Sequence, residues 1–330
     1  MLKKTEKLLK LIKDAKNILV TSHIEPDYDA ASSVLAIYWI LKTLKKQDVT
    51  MVLEDDHPLR NDFIEGSDLI EKRDLDKDLH KYDLIFLLDA NTKSRFSRNK
   101  LDFNRNQKIV KIDHHATRTD IKTTLDFAFP EEPSTCEIIF EIFNDSVDFS
   151  ATIAKALLTG IVDDTKNFSI RGVEKFTLHA AYTLIERGAN VAEISEFIKQ
   201  YDRSILDAVK EILNNLNFDK QYQYAFSYLP RDVYNELKIT DLKMDKIMDH
   251  VTDFLLGFKG YRWGFLVRPK GEKGTKVSMR SRYKAQNVRL LAEHMHGGGH
   301  DEAAGATFED ISDPYEALAI TRKKIGEFLG

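Results

Sequence analysis

Residues 18 to 33, ILVTSHIEPDYDAASS, pass from a short apolar stretch straight into a histidine and two aspartates, His23, Asp27 and Asp29. Ile18 to Thr21 reads as a strand, and Ala30 to Leu44 is apolar enough for a largely buried helix. The same form recurs downstream. VTMVLEDD (49 to 56), YDLIFLLDA (82 to 90) and KIVKIDHHA (108 to 116) each carry a strand-like run that ends in acids or histidines. Strands alternating with helices predict an α/β fold, a mostly parallel sheet with helices on both faces. Such sheets bind ligands at the carboxyl ends of their strands, where these polar clusters fall.

Composition narrows the field. A chain of 330 residues is long for one domain and suits two, each with its own core. With 42% hydrophobic and 31% charged residues it has the make-up of a globular protein without long disordered tracts. No apolar run approaches the roughly 18 residues of a membrane span. Met1-Leu2-Lys3-Lys4 leads into an amphipathic stretch rather than a signal segment. The single cysteine, Cys136, excludes an internal disulfide framework and suits a reducing, cytoplasmic setting. A net charge of -4 argues against a protein that coats long nucleic acid, and leaves room for a short anionic substrate.

Further along, Ser134-Thr135-Cys136-Glu137 has the Ser-x-x-Glu form of a capping box before EIIFEIF, and predicts a helix start. Ala151 to Val162 is a second, nearly all-apolar helix that finishes at Asp163-Asp164-Thr165. Residues 191 to 215 are helical and polar and are taken as a connector. This divides the chain into a first domain at 1–190, the connector, and a smaller α/β domain at 216–330, with a cleft expected between the domains. In the second domain, residues 262 to 289 hold nine basic side chains against one acid, Glu272, a local positive patch suited to phosphate. GEKGTK at 271 to 276 lacks the spacing and context of a P-loop.

The strand and helix ends of the first domain supply His23, Asp27 and Asp29; Asp89; Asp113, His114 and His115; and Asp164. One aspartate at a strand end is often only a turn former. Gathered on one sheet edge, this many carboxylates and imidazoles repel one another too strongly to be stable without cations. Mixed carboxylate and imidazole donors suit Mn²⁺ or a similar divalent ion, and the scarcity of thiols argues against structural zinc. His294, His296 and His300 lack the partners of a tetrahedral set. His57, His80, His179 and His250 are read as structural or surface residues.

H-x3-D-x-D at 23 to 29, the strand end at Asp89, Asp113-His114-His115 and TGIVDDT at 159 to 165 resemble, in order, the motifs of the DHH phosphoesterase superfamily. GGGHDEAAG at 297 to 305 resembles the signature of the DHH-associated C-terminal domain. In length and arrangement the chain is similar to the subgroup of bifunctional oligoribonucleases and 3′-phosphoadenosine 5′-phosphate (PAP) phosphatases, with relatives that cleave cyclic or linear di-AMP. The resemblance implies two divalent ions. His23, Asp27 and Asp89 would hold one, and Asp29, Asp89, His114 and Asp164 the other, with Asp89 bridging. Asp27 and Asp29, two apart, are expected on one side of an extended loop. His115 resembles the catalytic histidine that contacts the scissile phosphate, and Asp113 would orient a histidine.

In the second domain, Arg280 and Ser281 match an Arg-Ser that the family places by the nucleotide. Gly297, Gly298 and Gly299 would let backbone N–H groups approach an anion, beside His300. Arg95 also matches a family arginine. Tyr28 stands where glycine is usual and would narrow the pocket or stack on a base; Ser32 and Lys166 also replace glycine. The implied function is hydrolysis of short oligoribonucleotides or dinucleotides such as pApA to nucleoside 5′-monophosphates, and also of PAP to AMP. Alternatives are a cyclic di-AMP phosphodiesterase, a pyrophosphatase, or a nucleotide-binding sensor without turnover. The implied partners are short RNA or nucleotide substrates, with no membrane and no long nucleic acid; a homodimer accords with the family.

Overall fold

The computed structural model describes residues 2–116, 118–170 and 172–330. Its chain divides into two units, 1–200 and 201–330.

The first unit opens with α1 (Leu2–Asp14), β1 (Ile18–Thr21), α2 (Tyr28–Thr43), β2 (Val49–Leu53), β3 (Glu71–Lys72) and β4 (Leu84–Leu88). It continues through α3 (Lys93–Phe96), β5 (Lys108–Asp113), β6 (Leu125–Ala128), α4 (Thr135–Phe143), α5 (Ala151–Asp164), α6 (Lys175–Glu186) and α7 (Val191–Ile198). The six strands form one sheet in the order β3-β2-β1-β4-β5-β6, and every pairing is parallel. β1 and β4 are buried along their whole length, which explains their unbroken apolar sequence. Leu84, Phe86 and Leu88 point to a core shared with α2, α4 and α5, while Ile85 and Leu87 point to the opposite face. That face is covered by a 3₁₀ segment at Asp76–Lys81, by α3 and by the chain around Leu101.

Strand order reverses between β1 and β4, so the chain leaves these neighbours in opposite directions. Their carboxyl ends therefore flank the crevice in which doubly wound sheets bind ligands.

The second unit contains α8 (Arg203–Asn214), β7 (Asn217–Asp219), β8 (Tyr224–Tyr228), α9 (Arg231–Glu236), α10 (Asp241–Gly257), β9 (Trp263–Lys270) and β10 (Gly274–Ser281). After these come α11 (Val288–His294), β11 (Gly298–Gly299), β12 (Ala303–Phe308) and α12 (Pro314–Leu329). Its sheet, β11-β12-β10-β9-β8-β7, is antiparallel except for the β8–β9 pair. One face carries a core with α11 and α12, and the other a core with α8 and α10. The stretch 191–215, expected as a connector, holds two helices that go to different units: α7 to the first and α8 to the second. Both are amphipathic and bury apolar residues in their own unit, Ile194 and Phe197 in one and Ile205, Ala208 and Ile212 in the other.

Candidate metal centre at the sheet edge

Each donor of the first unit is placed by the end of an element. His23 follows β1. Its Nδ1 lies 2.8 Å from Ile24 O and 3.2 Å from Arg95 Nη2. A nitrogen that donates to a carbonyl cannot also accept from a guanidinium; the shorter carbonyl contact fixes the proton on Nδ1. Nε2 lies 3.4 Å from Asp89 Oδ2 at the centre of the cluster. Burial works against the imidazolium, but the hydrogen bond and charge of Asp89 raise it above its ordinary range. Nε2 therefore donates to Asp89, and loss of that proton frees its lone pair for a cation.

The pair Asp27 and Asp29 is arranged differently from the extended loop expected of it. Asp27 is the N-cap of α2, with Oδ1 accepting from the Ala30 amide at 2.9 Å, and Asp29 lies in the first helical turn. The helix starts two residues before the apolar run because an aspartate cap at this position stabilises it by about 1 kcal/mol. Asp29 is fully buried and faces the N-terminus of α4: Oδ2 accepts from the Thr135 amide at 2.7 Å and Oδ1 from the Cys136 amide at 3.1 Å.

Asp89 follows β4 in a left-handed conformation (φ 60°) that side chains other than glycine seldom adopt, and its amide bonds to Ile112 O at 2.9 Å. Its two oxygens face opposite sets. Oδ2 looks to His23, and Oδ1 lies 3.4 Å from His114 Nε2 while accepting from Thr135 Oγ1 at 2.8 Å. His114 Nε2 is also 3.2 Å from Oδ2 of Asp164, the last residue of α5. Donor atoms of His23, Asp27 and Asp89 lie within 4.8 Å of one another, and so do those of Asp29, His114 and Asp164. Asp163 groups with Asp27 and Asp164.

His115 has two acidic neighbours. Its Nδ1 is 2.8 Å from Asp113 Oδ1 and 3.8 Å from Asp89 Oδ1, so the hydrogen bond belongs to Asp113. The fully buried Asp113 also accepts from the His115 amide, which fixes the ring and leaves Nε2 towards solvent on a side chain that is 47% exposed. This bond pushes the His115 imidazolium up to about 9 against the pull of burial.

Carboxyls pressed together show their strain as displaced protonation. Burial and the Asp89 charge push Asp29 well above the ordinary carboxyl range, and burial with the charges of Asp29 and Asp27 does the same to Asp164. Asp27 is raised by burial and by Asp89. Burial also works against the Asp89 anion, but the hydrogen bond and charge of His23, with His114 and His115 nearby, hold it at about 2. A cluster of acids that repel their own protonless forms, interleaved with imidazole nitrogens that a cation can take over from protons, has the chemistry of a divalent-cation site, and the donor set fits hard or borderline ions.

Several supporting residues had escaped the sequence. Thr135 holds Asp29 through its amide and Asp89 through its hydroxyl. The capping-box pattern had marked this helix start but not what it faces, and the box itself is half formed: Ser134 Oγ accepts from the Glu137 amide, while Glu137 Oε1 accepts from Thr177 Oγ1 at 3.0 Å. Gly160 on α5 has no room for a Cβ, which would overlap Asp29 Oδ1 and Cys136 Sγ. A glycine inside an all-apolar helix was the available signal. Asn91 donates to His115 O at 2.8 Å and accepts from the buried Lys111 ammonium.

One expectation needs correction. Tyr28 is turned into the core, 6% exposed and edge-to-face with Phe197 at 5.9 Å, because it opens α2 on the buried side; it does not offer a ring to a base. The Gly297 to Gly299 run is drawn into a hairpin at the sheet edge. Gly298 and Gly299 form the edge strand β11 against Gly305 and Ala304, and side chains at 297 or 299 would strike the backbone of β12. The glycines permit a close hairpin, whose turn is closed by the His300 amide on Ala303 O at 2.8 Å. At the neighbouring β10 end, Arg280 Nη1 donates to Met279 O at 2.9 Å and Ser281 Oγ accepts from the Gln286 amide at 3.0 Å. Ser32 is fully buried in α2, and Lys166 has φ 48°, a value that suits the glycine it replaces.

Residues 17–161 match the DHH family N-terminal domain and residues 222–328 the DHHA1 domain. The bifunctional oligoribonuclease and PAP phosphatase NrnA of Thermus thermophilus is 29% identical over 91% of this chain and 87% of its own. The cyclic-di-AMP phosphodiesterase GdpP of Bacillus subtilis is 24% identical over 97% of this chain, which spans about half (49%) of that longer protein. An exopolyphosphatase-related protein from Bacteroides fragilis has the same fold, with a TM-score of 0.84 at 23% identity over 99% of this chain and 97% of that one. With the DHH motifs brought to one sheet edge in the first unit and the DHHA1 match making up most of the second, this chain carries a DHH family N-terminal domain followed by a DHHA1 domain.

Proposed function

We propose that this protein is a metal-dependent phosphoesterase that hydrolyses short oligoribonucleotides and dinucleotides such as pApA to nucleoside 5′-monophosphates, and that also converts PAP to AMP. The observation that carries this reading is the convergence of His23, Asp27, Asp29, Asp89, His114 and Asp164 on the crevice at the β1–β4 reversal, in two donor groups that Asp89 faces with separate oxygens. His23, Asp27 and Asp89 would hold one divalent ion and Asp29, Asp89, His114 and Asp164 a second, with Mn²⁺ the best fit to mixed imidazole and carboxylate donors. Bound there, the ions supply neutralisation of the phosphoryl oxygens and a lowered barrier to in-line attack by water.

The protein's own groups do the rest. Asp113 keeps His115 protonated and oriented, so that Nε2 hydrogen-bonds the scissile phosphate and gives its proton to the departing ribose oxygen. Thr135 and the α4 amides hold Asp29 and Asp89 in place before any ion arrives. Arg280, with Ser281 and the hairpin at Gly297 to His300, binds the terminal phosphate, which a guanidinium grips with two parallel hydrogen bonds. The oligoribonuclease and PAP phosphatase name of the Thermus thermophilus relative supports this substrate class.

The test is a chromatographic product assay in Mn²⁺ with pApA, a short oligoribonucleotide, PAP and cyclic di-AMP in parallel. AMP from the first three with cyclic di-AMP spared is the expected result. Rapid loss of cyclic di-AMP would make the protein a cyclic-dinucleotide phosphodiesterase instead. Tight binding without product from any of them would leave a sensor.

A further inference from the structure

Lys111 interrupts the apolar run of β5 and is 1% exposed, an interior charge two residues before Asp113. It stands beside Leu87 of β4 on the sheet face turned away from α2, α4 and α5. There its ammonium meets Oδ2 of its register partner on β6, Asp126, at 3.5 Å, and Oδ1 of Asn91. A buried ammonium is costly even when paired, and an apolar side chain would fill the same space at less cost.

What the charge supplies is a direction. An ammonium only donates and a carbonyl only accepts. Lys111 therefore takes the oxygen of the Asn91 amide, and Asn91 Nδ2 is turned to donate to His115 O at 2.8 Å. Asn91 is 3% exposed and lies two residues after Asp89, so its side chain ties the loop that carries Asp89 to the loop that carries His115.

Asp113 grips His115 at the amide and at ring Nδ1, but both bonds end on one oxygen, Oδ1, and leave the residue free to pivot about it. The Asn91 bond holds His115 at its carbonyl, on the other side of the Cα, and removes that freedom. A displacement of about 1 Å at an acting group costs on the order of 10²-fold in rate. The carbonyl bond therefore matters more to a proton transfer from Nε2 than to the fold.

We propose that Asn91, oriented by Lys111, is a positioning residue that places His115 Nε2 for proton transfer to the leaving oxygen. The proton transfer rests on the phosphoesterase reading, whereas the hold on the His115 ring does not.

The experiment compares wild type with Asn91→Ala and Lys111→Met on two substrates in Mn²⁺, pApA and the p-nitrophenyl ester of AMP. In both, the P–O bond to the leaving group breaks; the ribose oxygen must take up the Nε2 proton, whereas p-nitrophenolate departs without one. Asn91→Ala should lower kcat on pApA about 10- to 100-fold, the range for outer partners of a reacting group, with KM and the kcat on the ester each within about threefold. Lys111→Met frees the Asn91 amide to turn and should shift the same ratio in the same direction by less. Asn91→Ala removes no charge and carries the test alone should Lys111→Met not fold. NMR of the imidazole-labelled protein in EDTA follows the Nδ1 proton of His115, identified by its absence in His115→Asn. That proton should exchange faster in Asn91→Ala than in wild type. Equal losses on the two substrates, an unchanged kcat on pApA, or an Nδ1 proton that exchanges as in wild type would each overturn the proposal. A wild type that hydrolyses neither substrate, with the Nδ1 proton loosened in Asn91→Ala, would uphold the hold on His115 and remove the phosphoesterase reading.

Discussion

At the carboxyl end of the first sheet, charge is buried and already held in place. Asp29, Asp89 and Asp113 are at most 2% exposed, and each accepts hydrogen bonds from the protein itself. In the second unit a local basic stretch lies outside, on exposed residues such as Lys259, Arg262, Arg282 and Lys284, with Arg280 half-buried. The first arrangement gains from cations and tolerates no displacement, since its donors stand within hydrogen-bond reach of one another. The second gains from anions and keeps its stems solvated, so each of its members contributes less and can be lost singly. On the proposed reading, chemistry falls to the buried set and substrate selection to the exposed one.

The sharpest way to break this contrast is Asp89→Ala. It removes the carboxylate whose two oxygens face both donor groups, and kcat should fall by on the order of 10³-fold or more, about 4 kcal/mol of barrier. The folded content should survive in circular dichroism, because the change removes the charge that Asp89 sets against Asp27, Asp29 and Asp164. Near-normal turnover would sink the two-metal reading.

Arg280→Ala probes the other side of the contrast. A charge-assisted hydrogen bond is worth about 1.5–3 kcal/mol, so KM for substrates with a terminal phosphate should rise roughly 10- to 150-fold with kcat little changed. Substrates without that phosphate should lose far less. Equal losses on both would move the phosphate grip elsewhere.

Thr135→Val sharpens the claim that the first site is built before the ion arrives. The methyl replaces the hydroxyl that donates to Asp89 but leaves the amide on Asp29. Calorimetric titration of the metal-free protein with Mn²⁺ should show affinity reduced about 10- to 100-fold, the usual range for such supporting contacts, and Thr135→Ser should restore most of it. Affinity unchanged in the valine variant would make the hydroxyl contact incidental.

How much of this was legible follows the same divide. β1, β4 and β5 could be read because strands buried on both faces leave continuous apolar runs, and His23, Asp89 and His114 because they stand where those runs stop. The reach of Thr135 to Asp29 spans 106 positions, and no spacing rule connects residues that only packing of α4 against α2 brings together. Gly160 was visible as a glycine, but its reason, a carboxylate where its Cβ would be, lies on another helix. The edge hairpin at Gly297 to Gly299 was not legible, because a glycine run suits both a loop around an anion and a tight edge strand, and its partner, β12, follows the turn. Tyr28 misled for a reason of direction: beside two aspartates in the sequence, it leaves the helix start on the opposite side and enters the core.

The smallest effect asks whether every buried acid of the first unit is there for a cation. Glu137 on α4 is buried at 1% exposure, and its Oε2 has no hydrogen-bond partner, while Oε1 accepts from Thr177 Oγ1. Burial, with the charge of Glu132 alongside, pushes its carboxyl up to about 8. It lies outside both donor groups, so it should behave as a protonated acid and not as a cation ligand. A folded pKa above the unfolded value of roughly 4.3 means that the folded state keeps a proton the unfolded chain gives up. The stabilisation is therefore full below that value and is lost as pH rises through about 8. Glu137→Gln keeps an acceptor for Thr177 and removes the titration. Relative to wild type it should gain on the order of 1 kcal/mol, about 2–4 °C in Tm, at pH 8.5 and nothing at pH 4. Thermal unfolding in EDTA at the two pH values reads the difference directly. A gain that is the same at both would mean that Glu137 is ionised throughout, and that burial in this unit does not by itself separate the acids that bind cations from those that bind protons.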